Sequence, residues 1–455
     1  MTLVKLSSAR CAWPAGCDLS DKAVVDREYA HRAPMRGQHR RRTPAMNTNG
    51  GGASVRRAFK FLLRPTRRQG QALTLMLADH CLLYNAALQE RRDAYRHGSK
   101  TTVRYGDQSA QLKEIRAVDP DRQGRWSFSS QQATLRRLDR AMQAFFRRVR
   151  AGEAPGYPRF KGGGRFDTVD FPRDGDGCRW DSTPTEPVTR VRFQGVGHIR
   201  VHRHRPVLGR VKTVSVKREG RRWFVIVSCD DVPVRPLPES GSSIGIDMGV
   251  VHFLTTSGGE HVANPRFLAR SEDRLAAGQR ELARFPRRPR CGRSRRGRVA
   301  AARVAAIHRK IRRQRLDHAH KTALNLVRQH DVIAYERLNI AGMTRAPKPR
   351  PGLEGDYQPN GAAAKATLNR SILESGWRSF LTILVGKAES AGRRTIEVDA
   401  RGTSRTCTNC GHVAAENRLT QAEFVCMRCG FTGHADWVAA CNIALRAGLA
   451  LPAAA

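Results

Sequence analysis

The chain has 455 residues and carries 82 Lys and Arg against 40 Asp and Glu, which gives a formal net charge of +42. Hydrophobic residues make up 40% of it, which excludes a disordered basic tail and permits cores in roughly two to four domains. A charge this positive indicates a polyanionic partner, first of all nucleic acid, because each neutralised phosphate releases a counterion; a solvated surface without a partner is the alternative.

Cysteine usage and hydropathy predict the compartment. Four of the 11 cysteines form a motif taken up below, and the other seven are scattered and odd in number. That pattern favours reduced thiols over a secreted disulfide framework. No run of about eighteen apolar residues is present, so we predict no membrane span, and the N-terminus lacks the apolar core of a secretory signal. We therefore expect a cytoplasmic protein that associates with the nucleoid when it is bound to DNA.

The N-terminal residues 1–54 are predicted to be a disordered basic extension. They contain the arginine-rich run 36–42 and a glycine-rich stretch that ends at Gly52. Two interpretations are open. Either translation starts downstream, for example at Met46, or the segment is a basic arm that grips nucleic acid, and the sequence favours the first.

Order is predicted to begin near Arg56. The alternating residues 58–63 predict a strand, and a capping box formed by Thr66 and Gln69 predicts the start of an amphipathic helix. Ser129 and Gln132 predict the cap of a further helix, one side of which is rich in arginine. Such a side is either a solvated face or a track for a phosphate backbone.

Alternating apolar and basic residues dominate from about 166 to 230. They form strand-like runs at 188–193, 198–201, 211–217 and 223–228, separated by charged or glycine-containing turns. We predict a small β-barrel or half-barrel, a common platform for nucleic acid.

A second unit is predicted to open at Ser242 and to mix strands with helices. Two of the helices are long and basic and fall within 267–330, broken at 285–289. The remaining predicted elements are strands at 244–251, 253–256, 331–338 and 394–399 and helices at 369–391 and 437–449.

Four cysteines near the C-terminus have the spacing of a metal site. Cys407 and Cys410 form one CxxC pair, Cys426 and Cys429 form another, and fifteen residues separate the pairs. This spacing is typical of a tetrahedral, structural Zn²⁺ site in which all four positions are filled. Chance pairs or a disulfide are the alternatives.

Three acids interrupt or border apolar segments. Asp247 interrupts an apolar strand near two glycines, Glu336 ends an apolar strand, and Asp436 precedes an apolar helix. If they converge, such acids can hold two Mg²⁺ ions for in-line phosphodiester hydrolysis. Each acid alone is more often a helix cap or an ion-pair partner. Their order along the chain is that of an RNase H-like sheet with acids at adjacent strand ends.

Several motifs together resemble the TnpB family, the transposon-encoded proteins similar to type V CRISPR effector nucleases. The resemblance covers roughly residues 56–449. The motifs that carry it include Gly245-Ile-Asp-Met-Gly-Val250, Tyr335-Glu-Arg-Leu-Asn-Ile340, Thr403-Ser-Arg-Thr-Cys-Thr-Asn-Cys-Gly411, Phe424-Val-Cys-Met-Arg-Cys-Gly430, Ala435-Asp-Trp-Val-Ala-Ala-Cys-Asn-Ile443 and Pro155-Gly-Tyr-Pro-Arg-Phe-Lys161.

The resemblance implies a metal-dependent, RNA-guided DNA endonuclease encoded by an insertion sequence, whose link to transposition is maintenance of the element. Its catalytic Mg²⁺ ligands fall on Asp247, Glu336 and Asp436, and its structural Zn²⁺ ligands fall on the four cysteines. The implied partners are a guide RNA from the end of the element and target double-stranded DNA. The sequence does not give the guide, the DNA motif read beside the target or the oligomeric state.

The implied fold is multi-domain α/β: an RNase H-like (RuvC) nuclease domain with an inserted Cys₄ zinc ribbon, an N-terminal β-barrel (wedge) and a helical recognition lobe. The predicted order after the extension is the first wedge strand and the helical lobe at 55–165, the rest of the wedge at 166–238, the nuclease domain at 239–402, the zinc ribbon at 403–433, the end of the nuclease domain at 434–449 and a tail at 450–455.

Two positions depart from the family pattern. His434 stands where the family usually has an acid, and Val438 stands where it usually has Asn. The alternative function is therefore a catalytically weakened zinc-ribbon protein that binds a guided site as a repressor, and in that case Val438→Asn would restore cleavage. A strand-joining recombinase and a general RNA-binding protein are weaker alternatives, because the first lacks a recombinase signature and the second leaves the three acids unexplained.

Overall fold

A computed structural model describes residues 54–162, 164–286, 292–352, 356–418 and 420–451. The predicted N-terminal extension, apart from Ser54, lies outside these residues, as does the end of the predicted tail. The chain divides into two compact units, Met1–Pro233 and Val234–Ala455.

In its described residues, the first unit combines one antiparallel sheet with four helices. The helices are α1 (Arg67–Arg96), α2 (Tyr105–Ala110), α3 (Leu112–Val118) and α4 (Phe128–Arg150). The strands are β1 (Ser54–Arg64), β2 (Thr168–Phe171), β3 (Cys178–Arg179), β4 (Arg190–Phe193), β5 (Gly197–His202), β6 (Arg210–Glu219) and β7 (Arg222–Pro233).

The seven strands form a barrel-like sheet in the order β2-β6-β7-β1-β5-β4-β3. The N-terminal strand β1 lies between β5 and β7, antiparallel to both, although more than a hundred residues separate it from them along the chain. Alternate residues of β7 are buried, which is the period expected of a strand with one face on a core. The predicted half-barrel is therefore present, built around the first ordered strand.

Helix caps in this unit agree with the sequence at one position and differ at another. Thr66 and Gln69 form the predicted capping box of α1. The cap of α4 is Ser127, whose hydroxyl accepts from the Ser130 backbone N–H, so the prediction of Ser129 was wrong by two residues. The Ser129 side chain is buried and bonds Ser127 instead, because any serine in this run has the chemistry of a cap and only the packing selects one.

The second unit is built from strands and helices that alternate along the chain. Its strands are β8 (Ser243–Asp247), β9 (His252–Thr256), β10 (His261–Ala263), β11 (Val332–Glu336), β12 (Arg350–Pro351), β13 (Tyr357–Gln358), β14 (Arg394–Val398), β15 (Glu423–Val425) and β16 (Thr432–His434). Its helices are a 3₁₀ turn (Ala269–Ser271), α5 (Glu272–Ala283), α6 (Arg295–Gln329), α7 (Ile340–Met343), α8 (Ala362–Ser375), α9 (Trp377–Ser390) and α10 (Ala435–Arg446).

The main sheet of this unit is mixed, in the order β10-β9-β8-β11-β14. The central strand β8 is parallel to β11, which is parallel to β14, while β9 and β10 are antiparallel additions on the other side. Apolar residues of α6 and α9 pack with β8, β9 and β11 in one core, and Ile443 of α10 packs with Ala334 and Val398 in a second. The sheet thus carries helices that bury its apolar side chains.

Gly245 permits a close approach of α10 to the sheet. A Cβ atom at this position would lie 2.3 Å from the backbone oxygen of Ala440 and 2.7 Å from the nitrogen of Ala444. These are backbone atoms of α10, which cannot move aside as a flexible side chain could. Only glycine therefore lets α10 lie this near to β8. Because Asp436 is in the first turn of α10, this approach also sets how far Asp436 lies from the sheet.

Three predicted elements of this unit have different bounds or form. The strand predicted at 244–251 ends at Asp247. The single helix predicted at 369–391 is wrong, because α8 and α9 meet at Gly376, whose φ of 70° is left-handed and stops a helix. The final helix begins at Ala435, two residues earlier than predicted, so Asp436 lies inside its first turn.

Among the described residues, no helix is both long and apolar enough to cross a bilayer. The eight cysteines in this part of the chain are all free thiols. Cys11, Cys17 and Cys291 lie outside the described residues.

Candidate active site and four-cysteine cluster

The structure brings the three predicted acids to one end of the mixed sheet. Asp247 is the last residue of β8 and Glu336 is the last residue of β11. Since these strands are parallel neighbours with Ile246 opposite Tyr335, the two acids end adjacent strands. Asp436 joins them from the first turn of α10, and its Oδ2 lies 3.9 Å from the place that a Cβ on Gly249 would occupy.

The three carboxyl groups interact electrostatically. Burial, followed by the negative charges of Glu336 and Asp436, raises the pKa of Asp247 to about 8. Burial also raises the pKa of Glu336, which is 9% exposed. Without a cation, Asp247 and Glu336 therefore lose their protons less readily than ordinary carboxyl groups. A nearby positive ion would lower their pKa values and favour the charged forms.

Two residues that the sequence did not single out support the acids. The Thr403 hydroxyl donates a hydrogen bond to Glu336 Oε1, which acts against the rise in the pKa of that acid. Arg418 Nη2 lies 3.5 Å from Asp436 Oδ1 and acts to lower the pKa of Asp247. Thr403 stands 67 residues after Glu336 and Arg418 lies in the segment between the cysteine pairs, so only the folded chain reveals either contact.

The donor set fits Mg²⁺. Carboxylate oxygens are the protein ligands that this ion prefers. Beside burial, which is the largest cause, the negative charges of Glu336 and Asp436 raise the pKa of Asp247, and a cation would offset those charges. The carboxylate oxygens of the three acids do not all lie within 4.8 Å of one another, whereas four cysteine sulfurs elsewhere in the described part of the chain do.

Those sulfurs belong to the predicted motif. Cys407 Sγ lies 3.7 Å from Cys429 Sγ, and Cys410 Sγ lies 3.5 Å from Cys426 Sγ. Zn–S bonds of about 2.3 Å at tetrahedral angles place two sulfurs roughly 3.8 Å apart. The cluster therefore has the spacing needed for zinc, and no disulfide joins any of its members.

Each cysteine pair is wrapped by the same kind of turn. Gly411 N–H donates to the backbone carbonyl of Cys407 at 3.0 Å, Gly430 N–H donates to the backbone carbonyl of Cys426 at 2.9 Å, and both glycines have a left-handed φ. A hydrogen bond from the Phe431 backbone N–H lowers the pKa of Cys429 to about 6. The thiolate that a metal requires is thus favoured at Cys429, whereas burial raises the pKa of Cys407.

The cluster is joined directly to the last acid. The strand β16 ends at His434, and α10 begins at the next residue. Asn442 of α10 donates to the Thr403 and Thr406 carbonyls at 2.8 and 2.7 Å. Because of these links, the fold of the cysteine segment controls where the first turn of α10, and with it Asp436, is held.

Val438 belongs to the core of the cysteine segment. It is fully buried and packs in one cluster with Cys407, Phe424 and Cys426. This position on α10 therefore faces away from solvent, and an amide there would need a partner that the apolar cluster does not offer. Packing in this apolar cluster is therefore a structural reason for a valine at position 438.

Comparisons with known proteins identify the family of this chain. Three family models match: "Helix-turn-helix domain" over residues 54–100, "Probable transposase" over residues 214–346 and "Cas12f1-like, TNB domain" over residues 377–443. The first range contains β1 and α1 in this structure, and the last contains the four cysteines and Asp436.

Relatives match over most of their length. "Putative RNA-guided DNA endonuclease InsQ" of Escherichia coli (strain K12) is 30% identical over 87% of this chain and 92% of the relative. "Putative RNA-guided DNA endonuclease" of Streptomyces pristinaespiralis is 29% identical over 88% of this chain and 91% of the relative.

A solved structure, "Cryo-EM structure of CasPhi-2 (Cas12j) bound to crRNA", is 11% identical, with a TM-score of 0.42 over 88% of this chain and 99% of that one. The sequence relatives and the matched domains are enough: this chain belongs to the TnpB family.

Proposed function

We propose that the protein is an RNA-guided, Mg²⁺-dependent DNA endonuclease of an insertion sequence, with an RNase H-like nuclease domain. The observation that carries this proposal is the meeting of Asp247, Glu336 and Asp436 at adjacent strand ends and the helix turn beside them. The relatives' names point to the same activity.

Each acid has a role that follows from its surroundings. Asp247 and Glu336 would hold divalent cations from the strand ends, with Glu336 oriented by Thr403. Asp436 would complete the ligand set from α10, where the positive end of the helix dipole favours its charge. When bound, Mg²⁺ would supply an activated water and stabilise the leaving oxygen of the phosphodiester. The four cysteines would hold a structural Zn²⁺.

Basic cavities and helix faces in the first unit support binding of the guide. A cavity of about 540 Å³ is lined by Arg64, Arg200, His202 and Arg203. Arginines 136, 140, 147 and 150 of α4 are exposed. Guanidinium groups bind phosphates through paired hydrogen bonds, so both surfaces suit an RNA backbone.

The test uses the full chain expressed with its downstream DNA, so that a guide RNA is captured and can be sequenced. The complex is then incubated with Mg²⁺ and plasmids that carry the matching target beside randomised flanks. We expect cleavage at the target, lost in Asp247→Ala with RNA binding retained. Asp317→Ala, which removes an exposed acid on α6, is the matched control and should cut normally. Cleavage by Asp247→Ala would refute the assigned site.

A guided repressor that binds without cutting is the second candidate. It is favoured by the spacing of the acids, whose carboxylate oxygens are not gathered within 4.8 Å as the cysteine sulfurs are. Specific RNA and target binding at saturating Mg²⁺, without any cleavage by the unaltered protein, would establish it in place of the nuclease.

A further inference from the structure

Three histidines from three different strands meet beside the last acid. His252 begins β9, His261 begins β10 and His434 ends β16. The ring centroids of His252 and His261 lie 4.4 Å apart, those of His261 and His434 lie 5.1 Å apart, and those of His252 and His434 lie 6.4 Å apart. The function proposed above uses none of these rings.

These spacings match those of imidazoles around one metal ion. With Zn–N bonds of about 2.0–2.1 Å and tetrahedral angles, the ring centroids of two ligating histidines come roughly 5 Å apart. The ring nitrogens are not yet gathered within 4.8 Å of one another, unlike the cysteine sulfurs. Binding would therefore require the rings to turn about their side-chain bonds.

Hydrogen bonding leaves nitrogen atoms for a ligand. His261 Nδ1 bonds Thr255 Oγ1 at 2.9 Å, which resembles the supporting contact that ligating histidines usually make through the nitrogen that does not bind the metal. His434 Nδ1 is buried and has no hydrogen-bond partner. A buried polar atom without a partner costs free energy, and a metal–nitrogen bond would remove that cost.

The site is accessible, and its donors select the ion. His261 is exposed, while His252 and His434 are half-buried, so an ion can enter from solvent. Neutral imidazoles bind zinc, nickel, copper and cobalt well and magnesium poorly. Asp436 acts on His261 electrostatically, so its negative charge lies close enough to favour a cation there.

We propose that His252, His261 and His434 form a binding site for a divalent transition-metal ion, separate from the four-cysteine cluster and from the three acids. The fourth coordination position is left for water. An ion at this site places positive charge next to Asp436 and to the start of α10, so its occupancy is able to affect the neighbouring acids.

The test is a cobalt titration of the full-length protein, free of any histidine tag and with zinc bound in the cysteine cluster, in excess Mg²⁺. We expect one equivalent of Co²⁺ with the visible bands of a nitrogen-ligated tetrahedral ion and without thiolate charge-transfer bands. His252→Ala and His261→Ala should each weaken binding by at least about tenfold. His308→Ala, which removes an exposed histidine on α6, should leave binding unchanged.

Further measurements separate this site from the others. Zinc content near one ion per chain and an unaltered circular dichroism spectrum show that each variant is folded. Asp247→Asn should bind Co²⁺ as tightly as the unaltered protein. The proposal fails if no equivalent of Co²⁺ binds beside the zinc, if the bands are those of thiolate ligands, if His261→Ala binds normally, or if Asp247→Asn loses the ion.

Discussion

Asp247 shows how one residue can connect pH, stability and metal binding. Its pKa is raised to about 8 by burial and by the charges of Glu336 and Asp436, whereas in an unfolded chain it would be close to 3.8. The folded, metal-free protein therefore retains a proton on Asp247 that the unfolded chain releases. As the pH rises from about 4 through about 8, stability is lost.

The first prediction tests this linkage. Asp247→Asn removes the titrating group, so its Tm in Mg²⁺-free buffer at pH 9 should exceed that of the unaltered protein by a few degrees. The difference should shrink as the pH falls toward 4, because the folded and unfolded states then hold the same proton. Scanning calorimetry over this range provides the check, and a difference that does not change with pH would contradict the linkage.

Thr403 supports Glu336 through a hydrogen bond from its hydroxyl. Thr403→Val removes the hydroxyl that bonds Glu336 Oε1 and so should raise the pKa of that acid further. A hydrogen bond to a charged group contributes about 1.5–3 kcal/mol, so the Mg²⁺ concentration for half-maximal cleavage should rise by roughly tenfold or more. Thr403→Ser keeps the hydroxyl and should need about the same Mg²⁺ concentration as the unaltered protein. If Thr403→Val and the unaltered protein needed the same Mg²⁺ concentration for half-maximal cleavage, the proposed role of Thr403 would be refuted.

At the scale of elements, α10 connects the acid site to the cysteine segment through Val438. Val438→Asn would place an amide among Cys407, Phe424 and Cys426. We expect the free energy of unfolding to fall by about 1–3 kcal/mol, because the amide would be buried without partners. Leu445→Asn, at a position of the same helix that is 44% exposed, is the matched control and should change stability little.

That experiment also decides how the departure at Val438 is interpreted. If Val438→Asn is as stable as the unaltered protein and cuts faster, the weakened-nuclease alternative gains support. If it is less stable and cuts no better, Val438 is a packing residue of this particular chain.

Zinc should matter for the acids as well as for the cysteines. Cys407→Ser with Cys410→Ser should reduce zinc from about one ion per chain, measured by mass spectrometry of the metal content. Cleavage should fall with it, because β16 and Arg418 then lose their fixed relation to Asp436. Cys441→Ser, at a buried thiol outside the cluster, should retain both. A full zinc ion in the double variant would refute the cluster as the site.

At the scale of the whole molecule, the charge of +42 makes binding depend on salt. Each phosphate neutralised by Lys or Arg releases a counterion, so affinity for guide RNA should fall steeply and linearly in log–log form. With roughly six to ten contacts on duplex regions, the loss between 50 and 200 mM salt would be about 10³–10⁵-fold. Filter binding across this range measures the slope, and a slope near zero would show that the charge is solvated surface.

The sequence predicted those features whose signal is local. Asp247 stands out because it interrupts an apolar run, Glu336 because it ends one, and the cysteines by their spacing. Thr403, Arg418, His252 and His261 could not be found in this way, because no local pattern marks the contacts that they make in the folded chain. The single helix predicted over 369–391 fails because apolar spacing continues through Gly376, and the left-handed backbone of one residue was enough to divide it.

The junction at His434 and Ala435 sets a limit for protein engineering. Since β16 passes into α10 with no intervening residue, the cysteine segment cannot be deleted without disturbing the start of α10. Designers who shorten such proteins for delivery would have to replace it with another rigid hairpin that ends at the same point and in the same direction. A flexible linker of equal length would keep all three acids in the chain. It would no longer hold Asp436 in a fixed position beside the other two.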